Sequence, residues 1–98
     1  MIKEETRLDV KLTNHELLAQ LMTLNGYSVR SLTDAVNLHL VRQRSTVRVT
    51  RSVIGHLRSG HRKACKPEVA EAVAGLFKLP TTALFLGQVS KIHREVRG

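Results

Sequence analysis

The sequence predicts a single all-α domain of five short helices, with an insert between the second and third helices and a further helix at the C-terminus. Three observations support this fold class. The chain has 98 residues, which is enough for one domain but not for two. Hydrophobic residues make up 42% of it, so a core can form. They recur mostly at helical spacing, between residues that start and stop helices. We expect an N-terminal arm at 1–12, a core at 14–86 and a C-terminal extension at 87–98.

The arm and the first helix have local signals. Apolar and polar residues alternate near the end of residues 1–12, which predicts an extended arm or a short strand. Thr13 and Glu16 have the spacing of a capping box, in which each side chain bonds the other residue's backbone N–H, and they predict the start of the first helix. Asn25 and Gly26 predict its end, because both residues tolerate the left-handed conformation.

The second helix is followed by a segment with two open interpretations. Ser28 predicts the cap of this helix, and its buried stripe reaches Val36. Residues 37–49 either lengthen the helix through Leu40 or form a small basic ribbon that turns at residues 43–46. Alternating apolar residues after Leu40 favour the extended interpretation slightly.

The third and fourth helices have the clearest boundaries. Thr50 predicts the cap of the third helix, and Gly60 predicts its end. A basic loop follows at residues 61–66. Pro67 suits the first position of the fourth helix, and Pro80 interrupts the pattern after it.

Two further helices are predicted near the C-terminus. Thr81 or Thr82 begins a short fifth helix. The spacing of Val89, Ile92 and Val96 then predicts a C-terminal helix with one apolar edge. This edge either packs on the protein's own core or forms a dimer contact, so a homodimer and a monomer both remain open.

The net charge of +8 indicates a polyanionic partner, most often nucleic acid. Its distribution is more informative than its total. No acidic residue lies between Asp34 and Glu68, and that window alone holds as many bases as the whole net charge. A helix lying on a membrane surface would need a wide apolar face beside the bases, which the window lacks, so we predict no membrane partner. The bases are Arg42, Arg44, Arg48, Arg51, Arg58, Arg62, Lys63 and Lys66.

The sequence also argues against several other classes. One cysteine excludes an internal disulfide and suits a reducing cytoplasm. The N-terminal residues lack the apolar stretch of a signal peptide, and no apolar run reaches the ~18 residues of a membrane span. His56, His61 and Cys65 lack a fourth ligand and match no zinc pattern. Without a nucleophile–base set or a glycine-rich phosphate loop, we predict no enzyme, no metal and no cofactor.

Residues 50–60, Thr-Arg-Ser-Val-Ile-Gly-His-Leu-Arg-Ser-Gly, resemble the recognition helix of the phage-repressor and Cro-like family, the xenobiotic-response-element type of helix-turn-helix protein. That family's pattern is a small polar cap, polar base-reading residues, an Ile, a Leu and a terminal Gly. Residues 28–35 resemble its support helix, and residues 67–74 and 79–85 resemble its fourth and fifth helices. The Cys before the Pro and the final Leu-Phe are similar to regulators of actinobacteria and their phages.

The resemblance implies a transcription regulator, a phage repressor or Cro-type protein, that binds double-stranded DNA at a specific sequence and occludes a promoter. The N-terminal side chains of the recognition helix then meet base edges in the major groove. Arg51 would bind guanine O6 and N7, while Ser52 and His56 would read neighbouring positions. Contacts to the DNA backbone are expected from Ser28, Arg42, Arg44, Arg48, Thr50, Arg58, Ser59, Arg62, Lys63 and Lys66.

One departure from the family stands out. Its second and third helices are usually joined by about four residues, whereas roughly ten more lie between Asp34 and Val47 here. The insert is either a basic extension that adds contacts to the DNA backbone or a plain loop insertion. The role of Gly55 also has two interpretations. The residue either allows close approach to DNA or merely weakens the helix.

Two alternative functions remain open. One is an antitoxin-type protein-interaction module in which DNA binding is secondary. The other is a nucleic-acid-binding structural protein without sequence readout. The few aromatic residues, Tyr27, Phe77 and Phe85, are most simply core, so the stacking platform of a single-strand binder is missing.

Overall fold

The structure, a computed structural model, describes the backbone of residues 2–95 and the side chains of residues 9–87. Within this part the chain forms five helices and a three-stranded sheet, so the predicted all-α class is wrong and the fold is mixed α/β. In chain order the elements are β1 (Ile2–Leu12), α1 (His15–Leu24), α2 (Val29–Arg42), α3 (Arg51–Ser59), β2 (Ala64–Cys65), α4 (Pro67–Leu76), α5 (Thr81–Leu84) and β3 (Phe85–Glu95).

The sheet is antiparallel and has β1 in the middle, between β2 and β3. Val10 lies opposite Cys65 in β2, and Leu12 lies opposite Phe85 in β3. The strand interpretation of the N-terminal arm is therefore confirmed. The loop predicted at residues 61–66 also contains β2, which the sequence did not predict.

The predicted C-terminal helix is wrong, because Phe85–Glu95 forms β3 along the whole length of β1. Val89 and Ile92 lie in this strand, and Val96 lies outside the described residues. A short helix with one apolar edge is marginal by itself in water. β1 instead offers a complete row of backbone hydrogen-bond partners from the other end of the chain, and local spacing cannot reveal such a partner.

The first helix has a different cap from the predicted one. The Asn14 side chain accepts hydrogen bonds from the backbone N–H groups of Glu16 and Leu17, at 2.9 and 3.2 Å. The predicted Thr13–Glu16 capping box is therefore wrong. The Thr13 hydroxyl instead donates to the carbonyl oxygen of Leu84 at 3.1 Å, which ties the end of β1 to α5.

Helix α2 begins as predicted and ends later. The Ser28 side chain accepts from the Ser31 N–H, and the Ser31 side chain accepts from the Ser28 N–H in return, a reciprocal capping box. The helix continues to Arg42, so the basic ribbon is wrong and the longer helix is right. The turn that follows has Arg44 at a φ of 57°. Residues 43–50 then connect α2 to α3 without regular structure.

The core is one cluster that joins the helices to the sheet. Leu12 and Phe85, from the ends of two paired strands, are buried in it together with the helical residues. Tyr27 packs edge-on against Phe77, with ring centroids 5.8 Å apart. The buried helical residues include Leu18, Met22, Leu32, Val36, Leu40, Ile54, Leu57, Val73 and Leu84. The end of the sheet that contains Leu12 and Phe85 is therefore part of the core.

No helix within residues 2–95 has the length and apolar character needed to cross a membrane. The longest, α2, has 14 residues, whereas a helical span needs about 20.

Candidate nucleic-acid interface

Helix α3 has two buried residues and an otherwise accessible surface. Ile54 and Leu57 are fully buried, and Arg51, Ser52 and His56 are exposed, as the predicted reading role requires. At about 100° per residue, Ser52 points most directly away from the buried pair, and His56 lies next to that direction. Arg51 lies on the flank of the helix, about a quarter turn from the buried side, rather than opposite it.

Both ends of α3 are closed by the residues predicted to close them. The Thr50 hydroxyl oxygen accepts from the Val53 N–H at 3.3 Å. Gly60 caps the other end with a φ of 81°. The Ser59 hydroxyl donates to the His56 carbonyl oxygen at 3.3 Å. The hydroxyl groups of Thr50 and Ser59, both predicted to contact DNA, therefore already have structural roles at the ends of α3.

Asn37 fixes the start of α3, and sequence reasoning did not single it out. Its side-chain amide donates to the Val49 carbonyl oxygen at 2.9 Å and accepts from the Val49 N–H at 2.8 Å. The pair imitates the reciprocal bonding of two strands. Because Val49 immediately precedes the Thr50 cap, Asn37 locates the first turn of α3 on the middle of α2.

The last residue of α2 and the connection to α3 carry three of the predicted backbone-contacting arginines. Arg42 and Arg44 are exposed. Arg42 lies five residues beyond Asn37, which is about 7.5 Å further along the α2 axis from the start of α3. The Arg48 guanidinium is folded onto its own loop, where Nη1 donates to the carbonyl oxygens of Ser45 and Val47 at 2.7 and 2.6 Å.

The opposite end of α3 is tied to the N-terminal part of the chain. The Leu12 N–H donates to the Lys63 carbonyl oxygen at 2.7 Å, and β1 and β2 pair just beyond. The Arg62 Nε donates to the Ala64 carbonyl oxygen at 2.9 Å. Arg58, Arg62 and Lys63 are all exposed, so the structure brings three predicted phosphate-contacting residues to this end of α3.

His15 is a second residue that sequence reasoning missed. Its Nδ1 lies 3.3 Å from the carbonyl oxygen of Arg58, so that an Nδ1–H can donate to the C-terminal turn of α3. The imidazole also lies over Gly60, where an added Cβ would approach ring atoms to 2.6–2.9 Å. The first residue of α1 therefore covers the last turn of α3.

The start of α2 lies beside the middle of α3. A Cβ added to Gly55 would come within 3.8 Å of a Val29 methyl group. Ser28, a predicted phosphate contact, is exposed and caps α2 next to this point, and the exposed Arg30 follows it. Lys66, also predicted to contact phosphate, is exposed at the N-cap of α4 and makes no side-chain capping bond.

The two histidines near the end of α3 contact each other. The rings of His56 and His61 have centroids 4.8 Å apart, with planes tilted by 55°. His61 therefore limits the positions open to the His56 side chain. Among the described side chains, no group of three or more His, Cys, Asp or Glu residues could hold a metal ion.

Cys65 is buried in β2. Burial raises the pKa of the Cys65 thiol from 9.0 to about 12, partly offset by the nearby positive charge of Arg62. The thiolate is the reactive form of cysteine, so this side chain is a small core residue rather than a nucleophile.

We expect the free energy of unfolding to fall as pH rises from about 9 to about 12. In this range the unfolded chain has lost the Cys65 proton and the folded chain retains it, so the unfolded state binds fewer protons. Urea denaturation across this range measures the slope. Cys65→Ala is expected to flatten this slope. The stability that the variant loses at pH 7 through poorer packing does not depend on pH and serves as the reference. An unchanged slope in the variant would contradict the assignment.

Comparisons with known proteins add no family. No protein-family model matches the chain, and neither the curated proteins nor the solved structures contain a significant match. The functional conclusion therefore depends on the residues themselves and on the geometry of α3.

Proposed function

We propose that the protein binds double-stranded DNA at a specific sequence, with α3 in the major groove, and regulates transcription by occluding a promoter. The observation that carries the proposal is the surface of α3. This helix buries only Ile54 and Leu57 and presents polar or basic side chains at Arg51, Ser52, His56, Arg58 and Ser59. Its width suits the major groove, which admits a single α-helix.

The charge around α3 supports the same proposal. The eight bases between Asp34 and Glu68 have no acidic neighbours in the sequence. Exposed arginines precede α3 in the chain, Arg42 and Arg44, and others lie in its last turn and just after it, Arg58 and Arg62. A phosphate backbone running past both ends would be attracted at each of them, and such contacts fix a protein's register on DNA.

Helices α1 and α2 provide the rigid support that a reading helix needs. His15 of α1 contacts the last turn of α3, and Asn37 of α2 holds the residue before its first turn. A reading residue discriminates bases only when its backbone is held in place. We infer that α2 is the support helix despite the long connection, and, by resemblance, that the protein is a phage-type regulator in a bacterial cytoplasm.

Selection of bound sequences from random duplex DNA tests the proposal. We expect a defined motif, and binding to it should weaken with salt at a slope of log K on log salt near −5 if about six phosphates are neutralised. Unlabelled nonspecific duplex and RNA serve as competitors. A failure to enrich any motif, with equal competition by both, would favour the structural protein. Co-purification of a small protein toxin, with weak DNA binding, would favour the antitoxin-type module.

Arg51→Ala tests direct base reading. Loss of a bidentate contact to guanine is expected to cost about 1–3 kcal/mol of binding free energy and to relax one position of the motif. Arg42→Ala is the matched control, because it removes the same charge from the end of α2 and should weaken binding equally on all sequences. Measured Kd values on the selected site and on single-base variants separate the two. An equal loss on every site for Arg51→Ala would make this residue a backbone contact.

Gly55→Ala separates folding from close approach to DNA. Gly55 lies within the α3 helix and an added Cβ meets only a Val29 methyl at 3.8 Å, so alanine should raise the free energy of unfolding by about 0.5–1 kcal/mol. Gly75→Ala in α4 is the control, since its Cβ would meet only the His39 ring at 3.6 Å. We expect both to stabilise the fold, and only Gly55→Ala to weaken DNA binding, by about 1–3 kcal/mol. Unchanged DNA binding would show that close approach does not occur at Gly55.

A further inference from the structure

A cavity of about 240 Å³ lies at the C-terminal end of α3, between the end of β1, the start of α1 and the loop after α3. It is smaller than the pockets of roughly 300–1,000 Å³ that take drug-sized molecules, so it suits a single small group. The lining residues that matter here are Lys11, Thr13, His15, Gly60, Arg62 and Lys63.

The walls of the cavity are held by backbone bonds rather than by the basic side chains themselves. Lys11 lies opposite Ala64 in the β1–β2 pairing, and the Lys63 carbonyl oxygen accepts from the Leu12 N–H at 2.7 Å. The Arg62 guanidinium is held through its Nε, and that bond does not involve its Nη atoms. The backbone positions of Lys11 and Lys63 and one bond of the Arg62 guanidinium are therefore set before any ligand arrives, which lowers the entropic cost of binding.

The His15 ring forms a further wall. Its Nδ1 faces the Arg58 carbonyl oxygen at 3.3 Å. The ring lies over Gly60, where any side chain would occupy the same space. The glycine thus keeps the imidazole at the edge of the cavity.

The charge of the lining is one-sided. Lys11, Arg62 and Lys63 are cationic, and none of the lining residues is acidic. Two acids close in the chain are not part of this lining: Glu16 borders the neighbouring groove between α1 and α3, and the charge of Asp9 acts on Cys65 in β2. A small anion with several acceptor oxygens would be attracted by all three cations.

We propose that this cavity binds a phosphate group, with Lys11, Arg62 and Lys63 as the charged donors and His15 and Gly60 shaping the site. The phosphate belongs either to a DNA backbone or to a small phosphorylated molecule, and the chemistry of recognition is the same for both. Phosphate binding at this site does not depend on base reading by α3, so it can be tested independently of the proposed function.

Titration of the ¹⁵N-labelled full chain with inorganic phosphate, at ionic strength held constant with sodium chloride, tests the site. We expect saturable shifts of the Gly60 amide and of its neighbours around the cavity. The Lys11→Gln/Lys63→Gln variant should bind phosphate on the order of tenfold more weakly. The Arg30→Gln/Lys78→Asn variant removes the same charge from exposed positions that do not line the cavity and should bind normally.

Shifts that increase without saturation, or that weaken equally in both double variants, would overturn the proposal. Thermal melts establish that both variants remain folded, and the titration of the unmodified chain is itself decisive. Duplex DNA added to the phosphate-saturated protein then distinguishes the source. Release of phosphate identifies the DNA backbone, and simultaneous binding identifies a small phosphorylated molecule. If the chain binds no DNA at all, the phosphate titration still tests the cavity.

Discussion

Replacement of Gly60 by alanine is expected to lower the free energy of unfolding by about 2–4 kcal/mol. Two costs add. Gly60 has a φ of 81°, a conformation that an L-residue with a Cβ adopts at a cost of about 1–2 kcal/mol. The new Cβ would also lie 2.6 Å from Cδ2 of His15, so the imidazole must move and lose its contact with the Arg58 carbonyl oxygen. Urea denaturation measures the loss.

Gly26→Ala provides the matched control for this substitution. Gly26 also has a positive φ, 71°, but a Cβ added there meets no atom within 4 Å. It therefore has the conformational cost without the steric one. The double variant His15→Ala/Gly60→Ala should recover most of the difference between the two single glycine variants. Equal losses at Gly60 and Gly26 would mean that His15 does not press on the end of α3.

Asn37→Ala is expected to destabilise the protein by about 2–3 kcal/mol and also to weaken the proposed DNA binding. The substitution removes both hydrogen bonds to Val49 and leaves its buried backbone N–H and carbonyl groups without these partners. The chain before Thr50 then loses its attachment to α2, so α3 is held less well in the position proposed for reading DNA. Denaturation measures the first effect, and Kd on the selected sequence measures the second.

Asn25→Ala is the control for this substitution, because the exposed Asn25 side chain makes a single bond, to the Leu21 carbonyl oxygen at 2.8 Å. Its loss should cost less than about 1 kcal/mol and leave DNA binding unchanged. Asn37→Asp should give an intermediate result, since it keeps the acceptor for the Val49 N–H but sets a carboxylate against the Val49 carbonyl oxygen. An Asn37→Ala variant no less stable than Asn25→Ala would show that other contacts fix the start of α3.

The helices were predictable because their signals are local. Thr50 caps the start of α3, Gly60 caps its end, and Pro67 begins α4. All three positions can be assigned from the sequence alone. The sheet was not predictable in the same way. Residues 85–95 have an apolar spacing that fits a helix, and only the presence of β1, more than 70 residues away, makes the strand the better structure for them.

The candidate interface likewise contains residues that local sequence patterns predict and residues that they do not. The exposure of Arg51, Ser52 and His56 follows from the helical spacing of Ile54 and Leu57. His15 and Asn37 act on partners 43 and 12 residues away, so no local pattern points to them. The one signal for Asn37 in the sequence is a polar residue directly after the apolar residues Ala35 and Val36. This signal can be recognised only once α2 is known to continue past residue 37.

The central position of β1 has a consequence for how the protein folds. Its partners lie 53–55 and 73–93 residues along the chain, so both pairings close very large loops, and closing a loop costs more entropy as it lengthens. The helices make mostly nearer contacts and form at a smaller cost. Docking of β1 is therefore expected late, and the hydrogen bond from the Leu12 N–H to the Lys63 carbonyl oxygen forms only in that step. The surface at the end of α3 thus becomes complete when the end of β1 docks beside β2.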